Sequence, residues 1–146
     1  MGNENYEDVL LKNRENGKKP SRILIVDDDF GMIETLGDIF SDIGHDTDTA
    51  ENGFKAIEMA KNKSYDIALI DIKMPGIDGV ETFKQLKWIS PSTRVMMMTA
   101  YVVNDLIEEA LKEGAYKIFL KPLDIRDLMD SIDETRAKVI PHELRI

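Results

Sequence analysis

The sequence predicts a doubly wound α/β fold: one five-stranded parallel sheet with helices on both faces. Short apolar runs alternate with stretches of helical periodicity, which is the pattern of repeated βα units. The stronger runs are continuous rather than alternating, as expected of strands covered on both sides. A length of 146 residues suits one such domain.

Each element has its own signal. The first strand is Ile23-Leu24-Ile25-Val26, and the helix after it runs from Phe30 to Ile43. Asp29 stands at its N-cap position, and Gly44 stands where its C-terminus wants a left-handed residue. Asp46 to Thr49 is a weaker strand, half charged and therefore expected at a sheet edge. Asn52 is placed to cap a helix over Phe54 to Asn62. Ile67-Ala68-Leu69-Ile70 is the third strand, followed by a helix from Val80 to Trp88 whose terminal Trp88 is expected to pack or cap a surface groove. Val95-Met96-Met97-Met98 reads as a buried strand, and the next helix, Asn104 to Glu113, has Asn104 as its expected cap and Gly114 beyond its end. Ile118-Phe119-Leu120 is the last strand. Asp124 then caps a helix over Ile125 to Lys138, where Ile125, Leu128, Met129 and Ile132 share one face.

The folded unit is expected over residues 22–139. Residues 1–21 read as a polar leader with one apolar patch, Val9-Leu10-Leu11, and residues 140–146 as a helix stop and short tail. Composition is 42% hydrophobic and 32% charged, enough apolar material for an ordinary core. The net charge of -9 falls outside the leader, where four acids and four bases cancel. Such acidity disfavours direct nucleic-acid binding and docking on anionic membranes. The absence of cysteine excludes disulfides, thiolate metal sites and a Cys nucleophile. No apolar run approaches the ~18 residues of a membrane span, and no signal-peptide core is present. A cytoplasmic location is expected.

In an open parallel sheet, ligands bind outside the carboxyl ends of the strands. Here those ends carry Asp27-Asp28-Asp29, Asp71, Thr99 and Lys121-Pro122. Singly, each has an ordinary role: a helix cap, a solvated acid, a β-branched strand end, a surface charge. Together they bring several carboxylates, a hydroxyl and an ammonium to one rim. Crowded carboxylates raise one another's pKa unless a cation neutralises them. Mg²⁺ suits a site with few carboxylates because it keeps several waters and also accepts phosphate oxygens. An Asp carboxylate can itself accept a phosphoryl group.

Four segments in this order, Ile23 to Asp29, Ile70 to Gly79, Met97-Met98-Thr99-Ala100 and Leu120-Lys121-Pro122, resemble the receiver domain of bacterial two-component response regulators. The most specific is Asp71-Ile72-Lys73-Met74-Pro75-Gly76-Ile77-Asp78-Gly79. The resemblance implies the flavodoxin-like (βα)5 receiver fold and a set of roles. Asp71 is the implied phospho-acceptor. Asp28, Asp71 and the backbone carbonyl of Lys73 are the implied direct ligands of Mg²⁺, with Asp27 acting through water. Lys121 would bind phosphoryl oxygens, and Thr99 would move its hydroxyl onto one of them. Pro75 and Gly76 would shape the turn after Asp71, Gly79 would let the chain enter the next helix, and Lys121-Pro122 is a candidate cis peptide.

Three positions depart from the family or refine it. Ile118 stands where the family usually has Tyr or Phe, so any switch would couple Thr99 and Ile118 through repacking rather than a ring flip. Lys73 and Tyr101, each two residues beyond a site residue, are expected at the mouth of the pocket, where they could shield an acyl phosphate from water.

The implied function is a signalling switch rather than an enzyme, phosphorylated by a sensor histidine kinase or phosphotransfer protein. Its implied partner-binding face is built from the last two βα units. The partner is a downstream effector or an output domain in another chain, with a phosphorylation-dependent homodimer as a further expectation. The alternative is an Mg²⁺-dependent aspartate-nucleophile phosphohydrolase, whose first motif Asp27-x-Asp29 mimics but whose nucleophile would follow the first strand. A flavin or nucleotide binder is disfavoured because Asp27-Asp28-Asp29 would repel a phosphate. His45 and His142 lie away from the carboxylate rim in this reading.

Overall fold

The computed structural model describes residues 7–8 and 19–136. The expected leader patch Val9-Leu10-Leu11, the end of the last helix beyond residue 136, the 140–146 tail and His142 lie outside the described residues. Ten elements alternate: β1 (Arg22–Val26), α1 (Phe30–Asp42), β2 (Asp46–Ala50), α2 (Gly53–Asn62), β3 (Ile67–Asp71), α3 (Gly79–Ile89), β4 (Arg94–Thr99), α4 (Asn104–Lys112), β5 (Lys117–Leu120) and α5 (Ile125–Thr135). All strand pairs are parallel, in the order β2-β1-β3-β4-β5. This is the five-stranded doubly wound sheet expected, with the half-charged β2 at one edge.

Alternation along each strand splits the core in two. Ile23, Ile25, Ile67, Leu69, Met96, Met98 and Phe119 pack against Ile33, Leu36 and Phe40 of α1 and Leu128, Met129 and Ile132 of α5. On the opposite face, Leu24, Val26, Ala68, Ile70, Val95 and Met97 meet Ala56 of α2, Val80, Phe83 and Leu86 of α3 and Ala110 of α4. The central residues are sealed from water, and each fully buried Leu or Ile contributes roughly 1.5–3 kcal/mol. This two-sided burial is why the strand runs carry no polar alternation.

The helix ends follow local chemistry. Asp29 accepts from the Met32 N–H, Asn52 from Lys55 and Asp124 from Asp127. At Gly44 and Gly114 the backbone turns left-handed, with φ of 96° and 99°. The paired bonds His45 N–H to Phe40 O and Gly44 N–H to Ser41 O close α1, and the same pattern closes α4. Two expectations are corrected. Val103, not Asn104, occupies the N-cap of α4 and makes no side-chain cap bond, because Asn104 already has helical backbone. Trp88 packs in no groove; it is 90% exposed on the outer side of α3, whose inner face is taken by Phe83 and Leu86.

At the pole away from the strand carboxyl ends, the chain entering β1 is fastened to its surroundings. Ser21 N–H donates to buried His45 Nδ1 at 2.9 Å, and Arg136 Nε donates to the Lys19 carbonyl at 2.8 Å.

Candidate functional site

Hydrogen bonding continues one residue past three strands, which aligns the residues that follow them. Asp27 N–H donates to Ala50 O, Ile72 N–H to Met98 O and Lys121 N–H to Thr99 O. Asp27, Asp71, Thr99 and Lys121 are thereby brought to one rim, together with Asp28. All but the buried Thr99 line a cleft of about 620 Å³ with Lys73, Met74, Pro75, Asp78, Ala100, Tyr101 and Leu106.

Asp27 and Asp71 are buried, and Asp28 is exposed at the rim. One carboxylate oxygen from each lies within 4.8 Å of the other two. The Lys121 ammonium contacts Asp27 Oδ2 at 2.6 Å and Asp71 Oδ1 at 3.4 Å. Asp29 also lines the cleft, but its carboxylate accepts from Met32 N–H as the cap of α1 and does not join the cluster of the other three acids.

The electrostatics follow from this crowding. Burial and the neighbouring Asp27 charge push the Asp71 carboxyl up to about 6, with a smaller push from Asp28 and an opposing pull from Lys121. Desolvation and its hydrogen bond with Asp27 also raise Asp28. Burial works against the Lys121 ammonium, but Asp27 and Asp71 overcome it and hold its pKa above the ordinary value. Three carboxylates around one ammonium leave the cluster with an excess of negative charge. An all-oxygen donor set of this kind fits a hard divalent cation such as Mg²⁺.

The loop after Asp71 is shaped by close approach. Gly79 N–H donates to Ile72 O at 2.7 Å, and a methyl group on Gly79 would lie 2.1 Å from the Asp71 carbonyl oxygen. The expectation that Gly79 admits the chain to α3 therefore holds, for reasons of space. Gly76 forms the turn, with φ of 83°, and the Lys121–Pro122 peptide is cis.

Thr99 is buried, and its hydroxyl donates to the Tyr101 carbonyl at 2.8 Å while accepting from the Tyr101 N–H at 3.1 Å. Tyr101 is 62% exposed, and the Lys73 ammonium lies 5.3 Å from its ring centroid, so these two side chains meet across the cleft mouth. Ile118 is partly buried against the α2–α3–α4 side of the core, whereas Phe119 is buried on the other face. His45 is distant from this rim, as expected, at the start of β2.

Sequence reasoning missed Asp78 as a site residue. It lines the cleft and caps α3 by accepting from Glu81 N–H at 2.9 Å. The Asp78-Gly79 pair followed by Glu81 was the available signal.

Comparison with known proteins decides the family. The response regulator receiver domain matches residues 23–133. The chain belongs to that family. Among its relatives, this receiver is 40% identical over 111 residues to sporulation initiation phosphotransferase F of Bacillus subtilis (strain 168), covering 76% of this chain and 90% of that protein. It is 40% identical over 115 residues to the transcriptional regulatory protein ZraR of Klebsiella oxytoca, covering 79% of this chain but only 26% of that protein. Among solved structures, a CheY-like receiver domain protein from Methanospirillum hungatei JF-1 superposes with a TM-score of 0.77 at 29% identity, covering 80% of this chain and 93% of the other. Response regulator TrrA of Thermotoga maritima, solved in complex with Mg(2+)-BeF, gives 0.70 at 28% identity, with 78% and 97% covered. The receiver assignment is that of a two-component signalling domain and does not favour the phosphohydrolase alternative. Among the described residues, no helix of the receiver is long and apolar enough to cross a membrane.

Proposed function

We propose that this receiver is a phosphorylation switch in which Asp71 accepts a phosphoryl group from a histidine kinase or phosphotransfer protein. The observation that carries the reading is the placement of Asp71: buried at a strand end, within one small cluster with Asp27 and Asp28, and 3.4 Å from the Lys121 ammonium. In the transfer, an Asp71 carboxylate oxygen forms a bond to phosphorus. The bond from phosphorus to the donor imidazole nitrogen breaks, and that nitrogen keeps the electron pair and takes up a proton. Lys121 neutralises charge on the equatorial oxygens, and the cleft holds the reactants in line, so that positioning and electrostatics supply the catalysis.

Asp28, Asp71 and the Lys73 carbonyl would hold Mg²⁺ directly, and Asp27 would act through water. The donor set fits that ion. Bound there, Mg²⁺ would offset carboxylate repulsion and the charge of the incoming phosphoryl group. The TrrA complex with Mg(2+)-BeF supports the assignment by relationship.

Thr99 is the switch residue in this reading. Donating its hydroxyl to a phosphoryl oxygen requires giving up its bond to the Tyr101 carbonyl, so the Tyr101 loop moves with it. Ile118 would then repack with α4 and β5, altering a face for a downstream effector, an output domain or a second copy. Lys73 and Tyr101 would screen the acyl phosphate from water. A cytoplasmic setting, a folded unit over residues 22–139 and a role as a switch rather than a turnover enzyme complete the proposal.

The test is intact-mass measurement after incubation with Mg²⁺ and acetyl phosphate. A single phosphoryl adduct in the native protein, absent in Asp71→Asn, is expected. Catalytic turnover of a phosphoester with no Asp71 adduct would overturn the reading in favour of the hydrolase.

A further inference from the structure

The loop from Ile72 to Asp78 carries the Lys73 carbonyl, and it is braced from outside by the first turn of α2. A methyl group built on Gly53 would lie 2.1 Å from Thr82 Oγ1 and 2.7 Å from Ile77 Cγ1, so no side chain fits between the start of α2 and this loop. The same Thr82 hydroxyl donates to the Asp78 carbonyl at 2.8 Å, which ties the Gly53 contact to the loop's last residue. One position along, the Phe54 ring lies over Gly76, where an added methyl would meet Phe54 Cε2 at 3.3 Å. Phe54 is 61% exposed, so the ring is not an ordinary core side chain of α2. The α2 turn that presents both residues is itself fixed by Asn52, which accepts from Lys55 N–H at 2.8 Å.

Packing of this closeness transmits displacement rather than absorbing it. A ligand oxygen supplied by a loop backbone has no side-chain freedom with which to find its ion, and its placement depends on the loop's supports. We propose that Gly53 and Phe54 are positioning residues for the Lys73 carbonyl, bracing the β3–α3 loop in the shape that offers this oxygen to the divalent ion. The assignment rests on the reading of the carboxylate cluster as a Mg²⁺ site. Neither residue touches the reacting atoms; both act through Ile77, Gly76 and the Thr82–Asp78 bond.

The experiment titrates Mg²⁺ alone into the native protein, Gly53→Ala, Phe54→Ala and Phe54→Tyr, and measures amide hydrogen exchange of residues 73–78 without metal. Gly53→Ala is expected to bind Mg²⁺ about tenfold more weakly, the scale seen when supports of metal ligands are removed, with faster exchange in the loop. Phe54→Ala is expected to lose affinity in the same direction, and Phe54→Tyr, which keeps the ring, to match the native protein. Because Phe54 is largely exposed, its variants keep the fold even if Gly53→Ala does not. Native Mg²⁺ affinity and native loop exchange in Phe54→Ala would overturn the proposal. Failure of the native protein to bind Mg²⁺ would overturn the magnesium reading beneath it, an outcome distinct from a variant that behaves like wild type.

Discussion

The Lys121 ammonium sits 2.6 Å from Asp27 Oδ2, closer than to any other carboxylate of the cluster. The residue expected to meet the phosphoryl group is thus held by an acid from the far side of the pocket. Asp27 holds the lysine over the cleft, and the lysine in turn offsets the Asp27 and Asp71 charges.

Removing the ammonium should therefore be costly without metal. Lys121→Ala leaves two buried carboxylates without their cation, and thermal or urea unfolding in chelator should show a loss of roughly 3 kcal/mol. Mg²⁺ should recover much of that stability and bind more tightly than to the native protein, because a competing positive charge is gone. Phosphoryl adduct formation should nevertheless fall, since no ammonium remains to receive the phosphoryl oxygens. Unchanged Mg²⁺ affinity would show that the lysine does not compete for the site.

Tyr101→Ala should shorten the lifetime of the adduct. The ring and the Lys73 ammonium close the cleft mouth at 5.3 Å, and removing the ring opens a path for water. Release of phosphate from the purified adduct should accelerate severalfold; an unchanged rate would mean that the pair is only a solvated surface contact.

Gly79→Ala should damage both fold and site. Its methyl would lie 2.1 Å from the Asp71 carbonyl oxygen, and overpacking of this sort costs about 1–3 kcal/mol. The relief is a shift of β3 against α3, so Mg²⁺ affinity should fall even where the variant remains folded. Calorimetric titration alongside unfolding separates the two effects.

His45 predicts an acid-sensitive fold. Burial, aided by the Arg136 charge and opposed by Asp133, lowers its pKa to about 4 from 6.5. The unfolded chain therefore binds the extra proton first as pH falls. The stability that the neutral imidazole contributes is complete above about pH 6.5 and is lost progressively down to about pH 4, by at most about 3 kcal/mol. His45→Asn, whose amide oxygen can still accept from Ser21 N–H, should flatten the pH dependence of urea unfolding across that window. Equal slopes for the two proteins would remove His45 as the cause.

Much of the architecture was legible in the chain because its signals are local. Continuous apolar runs such as Ile67 to Ile70 report two-sided burial, and Asp29, Asn52 and Asp124 act on backbone only three residues away. Asn104 misled because propensity for a cap says nothing of where helical backbone begins. Trp88 misled because apolar character does not say which face of α3 receives the core. The Asp78 cap is as local as the others, but its place in the cleft was overlooked because it depends on a turn whose path is set by Gly79 and Asp71.

By itself, the sequence determined the order of the elements, the parallel sheet and the residues that follow each strand, since these depend on periodicity and on neighbours along the chain. The tertiary structure alone decided the pairings across it. It put Lys121 on Asp27, separated by 94 positions, gathered Asp71 into one cluster with Asp27 and Asp28, and wedged Gly53 against Ile77 and Thr82. These relations are set by strand order, register and helix packing. They are distances between remote segments, fixed only when the sheet closes and the two layers of helices compete for the same space.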